Sequence, residues 1–400
     1  MEDVNKLPRG EEAALEDDAD KLPRQEDAAR GEESAADGGK DGKGKKKLTK
    51  QQKKKIALIT VGCFFGVIAV LVVILAPIIA VGNKVIAEDT VQPNEYLTEW
   101  MKYIDGDAPV TDLAIPGLHD SGCIEMPWYA ATQDLTFAEQ LERGVRYFDI
   151  RVNNKGGDLV IFHSVVNGVD YEGVLRDIDE FMDAHPSEFL VLDFSHFKND
   201  SEEKVFDLFD EIVSAEMVVN YTNIADTEFL DALTLDDVRG KVIVFITPDE
   251  TDYCGRDYFF YKHGDKVGED AETSYASLVS PYKKFWNGKS AEKFTGDILY
   301  RYIDTFKDID RGFFVLQCQL TDTALVFGPR YREGKLIELA NDFVKGLYDD
   351  KENLQYINIV MRDFVTCEKS ALTIRLNFAK GYASVDSEFA AEINAFAGVE

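Results

Sequence analysis

The chain has 400 residues and a formal net charge of −30, from 44 Lys and Arg side chains against 74 Asp and Glu side chains. Binding a polyanion requires a basic surface, so this charge argues against a nucleic-acid partner. Residues 1–55 contain 14 acidic and 14 basic side chains, so the whole net negative charge falls on the remainder of the chain. Hydrophobic residues make up 45% of the sequence, which is enough for a sizeable core in that remainder.

Residues 1–55 predict a disordered, charged tail. The segment has mixed charge and no aromatic residue, so it cannot bury enough apolar surface to fold on its own. It also carries a crude repeat, in which Lys-Leu-Pro-Arg occurs at 6–9 and again at 21–24, each time followed by acidic residues. A solvated tail and a docking or sorting segment both fit this pattern.

Residues 56–82 predict a transmembrane helix. They carry no charge and exceed the roughly 20 apolar residues that a helix needs to cross the hydrocarbon core. A buried core helix is the alternative, while a cleaved signal peptide would have a shorter apolar core nearer the N-terminus. Seven lysines lie between residues 45 and 55, and Lys84 is the only base close to the other end. This positive-inside bias predicts a signal anchor in a single-pass type II protein, with residues 1–55 in the cytosol and the large domain lumenal or extracellular.

Two Asn-x-Ser/Thr sequons agree with a lumenal or extracellular location for the large domain. Residues 83–104 are a linker and lead-in to that domain, which extends over residues 105–400. The sequons begin at Asn199 and Asn220, and both asparagines are predicted glycosylation sites. No feature of the sequence specifies an oligomeric state.

Four cysteines of the large domain leave two interpretations open. They are Cys123, Cys254, Cys318 and Cys367, while a fifth, Cys63, lies in the predicted span. In an oxidising compartment, four cysteines allow two disulfides with three possible pairings. Cys318 lies in an apolar run and also fits a buried free thiol. The cysteines have no Cys-x-x-Cys spacing, so a zinc site is not expected.

From residue 110 onward, short apolar runs alternate with longer amphipathic stretches. The runs predict strands at 113–115, 147–152, 159–162, 189–194, 241–246, 313–316 and 356–361. Helix-like segments, such as 171–185 and 201–215, lie between them. Alternation of strands and helices over roughly 290 residues predicts a parallel α/β fold, and this length suits a (β/α)₈ barrel.

Titratable and polar side chains gather at the carboxyl ends of these strands, which is the face where such a barrel carries its active site. They are His119 and Asp120 after the first run, Asp149 and Arg151 in the second, His163 after the third, Asp193, Ser195 and His196 at the end of the fourth, and Asp363 after the last. One histidine can act as a general base and another as a general acid, because imidazole titrates near neutrality. An arginine can hold a phosphate, and a carboxylate can fix the tautomer of a histidine. The set predicts acid–base cleavage of a phosphodiester.

Three motifs resemble the X domain of the phosphatidylinositol-specific phospholipases C. The opening motif of that family is similar to Ile-Pro-Gly-Leu-His-Asp-Ser-Gly at 115–122. Gly-Val-Arg-Tyr-Phe-Asp-Ile-Arg at 144–151 is similar to the second strand of the family. Phe-His-Ser at 162–164 is similar to the segment that contains the second histidine of the family. Weaker similarities occur at 185–197, 315–317 and 358–364. The resemblance covers residues from about 105 to about 370, and the combination of its first three motifs is specific.

The resemblance implies a distorted TIM barrel and a cyclising cleavage of phosphatidylinositol or a related inositol glycolipid. The inositol 2-hydroxyl would attack the phosphorus, giving a cyclic inositol phosphate and diacylglycerol. His119 would be the base that activates this hydroxyl, with Asp363 orienting it. His163 would be the acid that protonates the leaving oxygen, assisted by Asp120.

The resemblance also implies that Arg151 replaces a metal ion. Eukaryotic signalling enzymes of the family place calcium-binding carboxylates along the second strand and after the first histidine, whereas the bacterial-type enzymes have an arginine there. We therefore expect a metal-independent enzyme of the bacterial type, without a cofactor.

The chain departs from the bacterial-type pattern at positions that contact inositol in that family. The fourth strand ends with Ser195 where those enzymes carry a base, and residues 246–248 read Ile-Thr-Pro where they carry an arginine. Ser195, Asp149 and Asp193 are the predicted substrate-binding residues. Two alternatives stay open: the same chemistry on a different lipid headgroup, and a non-catalytic, membrane-anchored surface protein on an enzyme fold.

Overall fold

The computed structural model describes residues 49–82, 89–220, 228–246, 256, 258–263, 276–309, 311–321 and 328–399. Four of the sequence predictions lie outside these residues. They concern the tail up to residue 48, the linker residues 83–88, Cys254 and the Thr247-Pro248 pair.

A long apolar helix, α1 (Lys50–Gly82, 33 residues), contains the predicted span. Its side chains from residue 50 to residue 73 are exposed. The helix is long and apolar enough to cross a membrane. It begins before residue 56, because the lysine-rich residues 50–55 continue the helix ahead of the apolar run.

Ten strands among the described residues form one sheet. They are β1 (Ile115–Leu118), β2 (Tyr147–Lys155), β3 (Asp158–His163), β4 (Val166–Asp170), β5 (Leu190–Lys198), β6 (Val242–Ile246), β7 (Phe259–His263), β8 (Ala276–Val279), β9 (Phe313–Gln317) and β10 (Ile359–Arg362). Eight of them pair in parallel in the order β1-β10-β9-β8-β7-β6-β5-β2. β1 also pairs with β2, where Gly117 faces Tyr147, so the pairings return to their start. The architecture is a mixed α/β fold that resembles a TIM barrel.

The strands β3 and β4 extend the sheet outside this ring of pairings. The sequence predicts a parallel strand at 159–162, but β3 runs antiparallel to β2. The reason lies in the turn between them, where Gly156 and Gly157 have φ values of 68° and 119°. Glycine adopts such values without steric cost, so the chain reverses within two residues and forms a hairpin.

The other predicted strands agree with the structure to within a few residues. The runs at 241–246, 313–316 and 356–361 correspond to β6, β9 and β10. Two ring strands, β7 and β8, have no counterpart among the predicted strands. The ring of eight strands is therefore completed by elements that hydrophobic patterning did not reveal.

Helices follow most of the strands. Those after α1 are α2 (Glu95–Thr98), α3 (Phe137–Glu142), α4 (Tyr171–Ala184), α5 (Glu202–Ile212), α6 (Glu228–Ala232), α7 (Leu235–Val238), α8 (Lys284–Asn287), α9 (Ala291–Lys293), α10 (Leu299–Lys307), α11 (Gly328–Leu347), α12 (Lys351–Leu354), α13 (Cys367–Ile374), α14 (Leu376–Ala379) and α15 (Glu388–Phe396). The carboxylate of Asp170 begins α4 by accepting the N–H of Gly173 at 3.0 Å. Val174 and Ile178, one turn apart, then pack into the same apolar cluster as Leu192 of β5.

The lead-in to the large domain is part of its folded core. Trp100 is fully buried, and its indole N–H donates to the carbonyl of Gly144 at 2.9 Å. Gly144 has a φ of 83°, and a Cβ atom there would lie 2.9 Å from the carbonyl oxygen of Leu97. The glycine of the second motif is thus needed both for its backbone conformation and for this close approach.

The cysteines described in the structure are free thiols. Cys123, Cys318 and Cys367 are buried and unpaired, so two disulfides in the large domain, left open by the sequence, are not formed. The interpretation of Cys318 as a buried thiol is confirmed, and burial raises its pKa to about 12. The two sequon asparagines, Asn199 and Asn220, are exposed, and their glycosylation stays a prediction.

Candidate active site

Side chains from several ring strands and from β3 converge on one cavity of about 220 Å³. His119 follows β1, Arg151 lies on β2 and Ser195 lies on β5. His163 enters from the end of the antiparallel strand β3. The carboxyl ends of parallel strands meet at one edge of the sheet, so residues far apart in the sequence become neighbours here.

His119 is held by a carboxylate at one nitrogen and faces a cation at the other. In the neutral imidazole, Nδ1 donates to Oδ1 of Asp363 at 2.9 Å. This bond fixes the tautomer, so Nε2 is the nitrogen whose lone pair can take a proton. Nε2 lies 3.3 Å from Nη2 of Arg151. The geometry of His119 is that of a general base.

His163 also directs Nε2 into the site, but a main-chain carbonyl holds its Nδ1 where a carboxylate holds that of His119. Its Nδ1 donates to the main-chain carbonyl of Ala130 at 2.8 Å. Nε2 then points towards Asp120, whose Oδ2 lies 3.7 Å away. When His163 is protonated, Nε2 carries a proton that it can deliver to a leaving group, with Asp120 as the compensating charge.

Asp120 is the carboxylate shared by both histidines. It is almost fully buried and forms ion pairs with Nε of Arg151 at 2.5 Å and with Nε2 of His119 at 3.3 Å. Its φ of 47° is in the left-handed region, which few residues other than glycine adopt. The conformation is fixed by the Thr132 hydroxyl, which donates to the Asp120 carbonyl, and by the Asp120 N–H, which donates to Oδ2 of Asp149. Strain of this kind is typical of functional sites.

Arg151 lies between two carboxylates and remains a permanent cation. Its Nη2 donates to Oδ2 of Asp149 at 2.9 Å, while its Nε contacts Asp120. Burial works against the charge, but these two carboxylates outweigh it and raise the pKa of Arg151. The side chain is 19% exposed, so the guanidinium is fixed in place and still open to an anion in the cavity.

Of the three predicted substrate-binding residues, two line the cavity. Ser195 and Asp149 do so, and the Ser195 hydroxyl donates to Oδ1 of Asp149. Asp193 is fully buried and is not among the residues that line the cavity. Its Oδ2 accepts the hydroxyl of Tyr147 at 2.6 Å, and Tyr147 does line the cavity.

The charges around His119 favour its protonated form. Burial works to lower its pKa, but Asp120 and Asp363 outweigh burial and the opposing charge of Arg151, and they raise the pKa of His119 to about 9. Burial also raises the pKa of Asp363, against the effect of the nearby imidazolium. About 1% of the free protein then carries a neutral His119 at pH 7. If His119 is the base, kcat/KM should rise with pH until about pH 9 on a substrate whose leaving group needs no acid, because a protonated His163 is then not required.

An Asp363→Asn protein is expected to show this rise at lower pH. The substitution removes one of the two carboxylates that raise the pKa of His119, so the midpoint of kcat/KM against pH moves down. The plateau should fall by about 10²- to 10⁴-fold, because the Nδ1–H loses its charged partner. Asp236→Asn is a suitable control, since Asp236 pairs with Arg239 outside the site. A midpoint equal to that of the wild-type protein would contradict the coupling of His119 to Asp363.

His119, Asp120 and Asp149 also offer ligand atoms that lie within 4.8 Å of one another. Such a group has the composition of a divalent-metal site. The guanidinium of Arg151 contacts all three of these side chains. The site therefore already contains a cation that is part of the chain.

The cavity has a further wall that the strand-end residues did not predict. Its members are Ser280, Tyr282, Gln317, Thr321 and Met361, which line the cavity together with His196 from the end of the fourth predicted strand. Gln317 donates from Nε2 to the Ser280 hydroxyl at 2.7 Å. Gln317 ends an apolar run and could have been found by the same rule as Asp363. Ser280 follows β8, which the sequence did not predict, so no signal marked it.

The fold and site define a TIM-barrel-like α/β protein with two histidines, an arginine and carboxylates at the carboxyl ends of its strands. Residues 107–247 match the family model described as phosphatidylinositol-specific phospholipase C, X domain. The resemblance to the X-domain family is therefore confirmed over these residues.

The curated relatives include proteins of animals and bacteria. PI-PLC X domain-containing protein 2 of Mus musculus is 34% identical over 132 residues, which cover 25% of this chain and 39% of that protein. The 1-phosphatidylinositol phosphodiesterase of Staphylococcus aureus strain Newman is 31% identical over 156 residues, or 36% of this chain and 49% of that protein. The chain thus spans less than half the length of these two relatives. The protein of the same name from Listeria monocytogenes is 28% identical over 274 residues, or 66% of this chain and 80% of that protein.

Solved structures agree with the fold. The phosphatidylinositol-specific phospholipase C from Listeria monocytogenes superposes with a TM-score of 0.54 at 21% sequence identity. The match covers 72% of this chain and 99% of that chain. A likeness at this level of identity establishes a common fold and leaves the chemistry to the site itself.

Proposed function

We propose that this protein cleaves phosphatidylinositol, or a related inositol glycolipid, by attack of the inositol 2-hydroxyl on the phosphorus. The observation that supports this most strongly is the pair of histidines that direct Nε2 towards the shared carboxylate of Asp120, with Arg151 beside them. A base and an acid held on one site are what an in-line transfer between two oxygens requires. The products are a cyclic inositol phosphate and diacylglycerol.

Each proton in this reaction has a donor and an acceptor. The 2-hydroxyl gives its proton to Nε2 of His119 as its oxygen bonds to phosphorus. The bond between phosphorus and the glycerol oxygen breaks, and that oxygen takes the proton from Nε2 of His163. Asp363 stabilises the imidazolium that forms at His119, and Asp120 compensates the charge on His163.

Arg151 binds the phosphate in this proposal. Its guanidinium donates to the non-bridging oxygens and stabilises the negative charge that grows on them in the transition state. Because Asp120 and Asp149 fix its position, little reorganisation is needed when the substrate binds. The reaction then requires no metal ion and no other cofactor. This assigns the chain to the bacterial-type branch of the family.

The headgroup is recognised by Ser195 and Asp149 in this proposal. Both line the cavity and form one hydrogen-bonded pair that can bind hydroxyl groups. Ser195 is uncharged, which favours a second candidate, the same cyclising chemistry on another hydroxylated headgroup. A non-catalytic surface protein is disfavoured, because acid, base and cation are all present, with the carboxylates of Asp363 and Asp120 within 4 Å of them.

We further propose that the ring of parallel strands is a distorted (β/α)₈ barrel, and that α1 anchors it to a membrane. The lysines before α1 favour a type II orientation, with the barrel lumenal or extracellular. Asn199 and Asn220 would then be exposed to the glycosylation machinery. A protease-protection assay on intact membranes tests this orientation, since a barrel digested only from the cytosolic side would contradict it.

Incubation of the full chain in detergent micelles with inositol-labelled phosphatidylinositol tests the function. We expect release of water-soluble label with and without a calcium chelator. A parallel panel of phospholipids with choline, ethanolamine, serine and glycerol headgroups separates the candidates. Cleavage confined to the glycerol headgroup, which keeps a hydroxyl next to the phosphate ester, favours the second candidate, and cleavage confined to the other three would contradict a cyclising attack. No cleavage of any lipid favours the non-catalytic protein. Activity that requires calcium would contradict the role of Arg151.

A further inference from the structure

A buried network of charges contacts the main chain of Asp363, whereas the carboxylate of Asp363 contacts His119. Its members are Arg362 at the end of β10, Glu333 on α11 and Lys369 on α13. Each of the three is at most 3% exposed. Such charges are rarely buried without a partner, so the bonds they make indicate what they do.

The three N–H groups of the Lys369 ammonium all donate to acceptors in one small region. Its Nζ donates to the carbonyls of Asp363 and Phe364, each at 2.7 Å, and to Oε1 of Glu333. A lysine ammonium has three N–H groups, so its donors are all used. Glu333 also lies 3.5 Å from Nη2 of Arg362 and therefore joins the two cations.

The bonds to the two carbonyls hold a turn with an unusual conformation. Phe364 has a φ of 49°, in the left-handed region that large side chains rarely adopt. Such a conformation persists where the surroundings fix it. The Phe364 N–H donates to the carbonyl of Thr132 at 2.9 Å, and Lys369 holds the carbonyls of both residues of the turn. This turn sets the direction in which the Asp363 carboxylate leaves the main chain.

The alternative interpretation is that the buried ion pair of Lys369 and Glu333 only stabilises the fold. Taking two charges out of water costs about as much as their attraction returns, so apolar side chains would serve stability equally well. Lys380 offers a comparison, because its Nζ donates to the carbonyls of Asp112 and Gln355, which hold no site residue. The partners of Lys369 include the residue that contacts His119.

We propose that Lys369, held in place by Glu333, is a positioning residue that sets the Asp363 carboxylate against Nδ1 of His119. The inference rests on the proposed function for its catalytic meaning, since His119 is the base of that reaction. Without the ammonium, the turn at Phe364 relaxes and the carboxylate withdraws from the imidazole.

Two variants separate this role from general stability. Lys369→Met removes the ammonium, and Glu333→Gln/Lys369→Met removes both charges while leaving an oxygen that Arg362 can contact. The double variant keeps the net charge and leaves no buried carboxylate without its ammonium. Lys380→Met is the matched control, since it deletes a second ammonium that donates to carbonyls.

The measured quantity is the titration midpoint of His119, which is monitored by ¹⁵N-histidine NMR on the full chain in micelles. The signal is assigned with a His119→Gln protein among the five histidines of the chain. Loss of a nearby cation would by itself favour the imidazolium and move the midpoint up. Withdrawal of Asp363 moves it down, as in Asp363→Asn. We expect a downward shift in both Lys369 variants, a kcat lowered by about 10²-fold, and a wild-type midpoint in Lys380→Met.

A midpoint that stays at the wild-type value or rises in the folded Lys369 variants overturns the inference, even if activity falls. Loss of folding in both variants also overturns it, because the pair would then be a stability element. The titration does not depend on turnover. A wild-type protein that cleaves no lipid, with a His119 midpoint that moves down in the variants, supports the positioning role and rejects the proposed function.

Discussion

A His119→Ala protein is expected to cleave phosphatidylinositol about 10²- to 10⁴-fold more slowly than the wild-type protein. The methyl group cannot accept the proton of the attacking hydroxyl, and the Asp363 carboxylate loses its partner. The loss should fall on kcat, because the phosphate would still be held by Arg151. Initial rates over a range of substrate fractions in mixed micelles measure both parameters.

His185→Ala is the matched control for this substitution. His185 also pairs with a carboxylate, since its Nδ1 lies 3.0 Å from Oε1 of Glu99, but it does not line the cavity. Its loss should leave kcat within a few-fold of the wild-type value. A His119→Ala protein with undiminished cleavage would remove the base from the mechanism.

The two histidines can be told apart by the leaving group. An inositol phosphodiester with a nitrophenolate leaving group needs little help from an acid, because nitrophenolate is a stable anion. A His163→Ala protein should therefore recover most of its activity on that substrate. His119→Ala should stay slow on both substrates, since the attacking hydroxyl is the same. Equal recovery in the two variants would contradict the assignment of opposite roles.

An Arg151→Lys protein is expected to lose about 10²- to 10³-fold in kcat, whether or not calcium is added. Lysine keeps the charge, but its ammonium cannot contact Asp120, Asp149 and a phosphate with the fixed planar geometry of a guanidinium. Rates measured with a chelator and with added calcium test both halves of this expectation.

The same substitution at Arg143 provides the control. Arg143 is buried and pairs with Asp89 at 3.2 Å, away from the cavity, so Arg143→Lys should leave kcat within a few-fold of the wild-type value. Calcium that restores Arg151→Lys to the wild-type rate would indicate that the group of His119, Asp120 and Asp149 works as a metal site. That result would place the chain outside the metal-independent branch.

The sequence could predict the elements of the site that depend on local order. His119 and Asp120 follow an apolar run directly, and Asp149 and Arg151 alternate along the next strand, so the period of a strand places them together. The rule that barrel sites lie at the carboxyl ends of strands then predicted that these side chains form one site. His163 was expected at the carboxyl end of a parallel strand. It does reach the site from the end of β3, but β3 is antiparallel to β2.

What the sequence could not predict depends on contacts between distant segments. The resemblance implied that Asp363 orients His119, but the raised pKa of His119 depends on the balance between burial and the surrounding charges, one of them 244 residues away in the sequence. Lys369 and Glu333 lie 36 residues apart on two helices and meet only when these pack against the end of β10. Asp193 was grouped with Ser195 by its place in the run, yet it is fully buried in β5 and accepts the Tyr147 hydroxyl instead of lining the cavity. No local pattern distinguishes these outcomes.

The most direct test of the cyclising cleavage is ³¹P NMR of the reaction of this protein with phosphatidylinositol in micelles that contain a calcium chelator. Attack by the 2-hydroxyl must produce a five-membered cyclic phosphate, whose resonance is well separated from that of a monoester. We predict that this signal appears first and that the acyclic inositol phosphate, if it forms, grows later at its expense. An acyclic inositol phosphate that appears from the start without the cyclic ester would contradict the attack by the neighbouring hydroxyl and the role of His119 as its base.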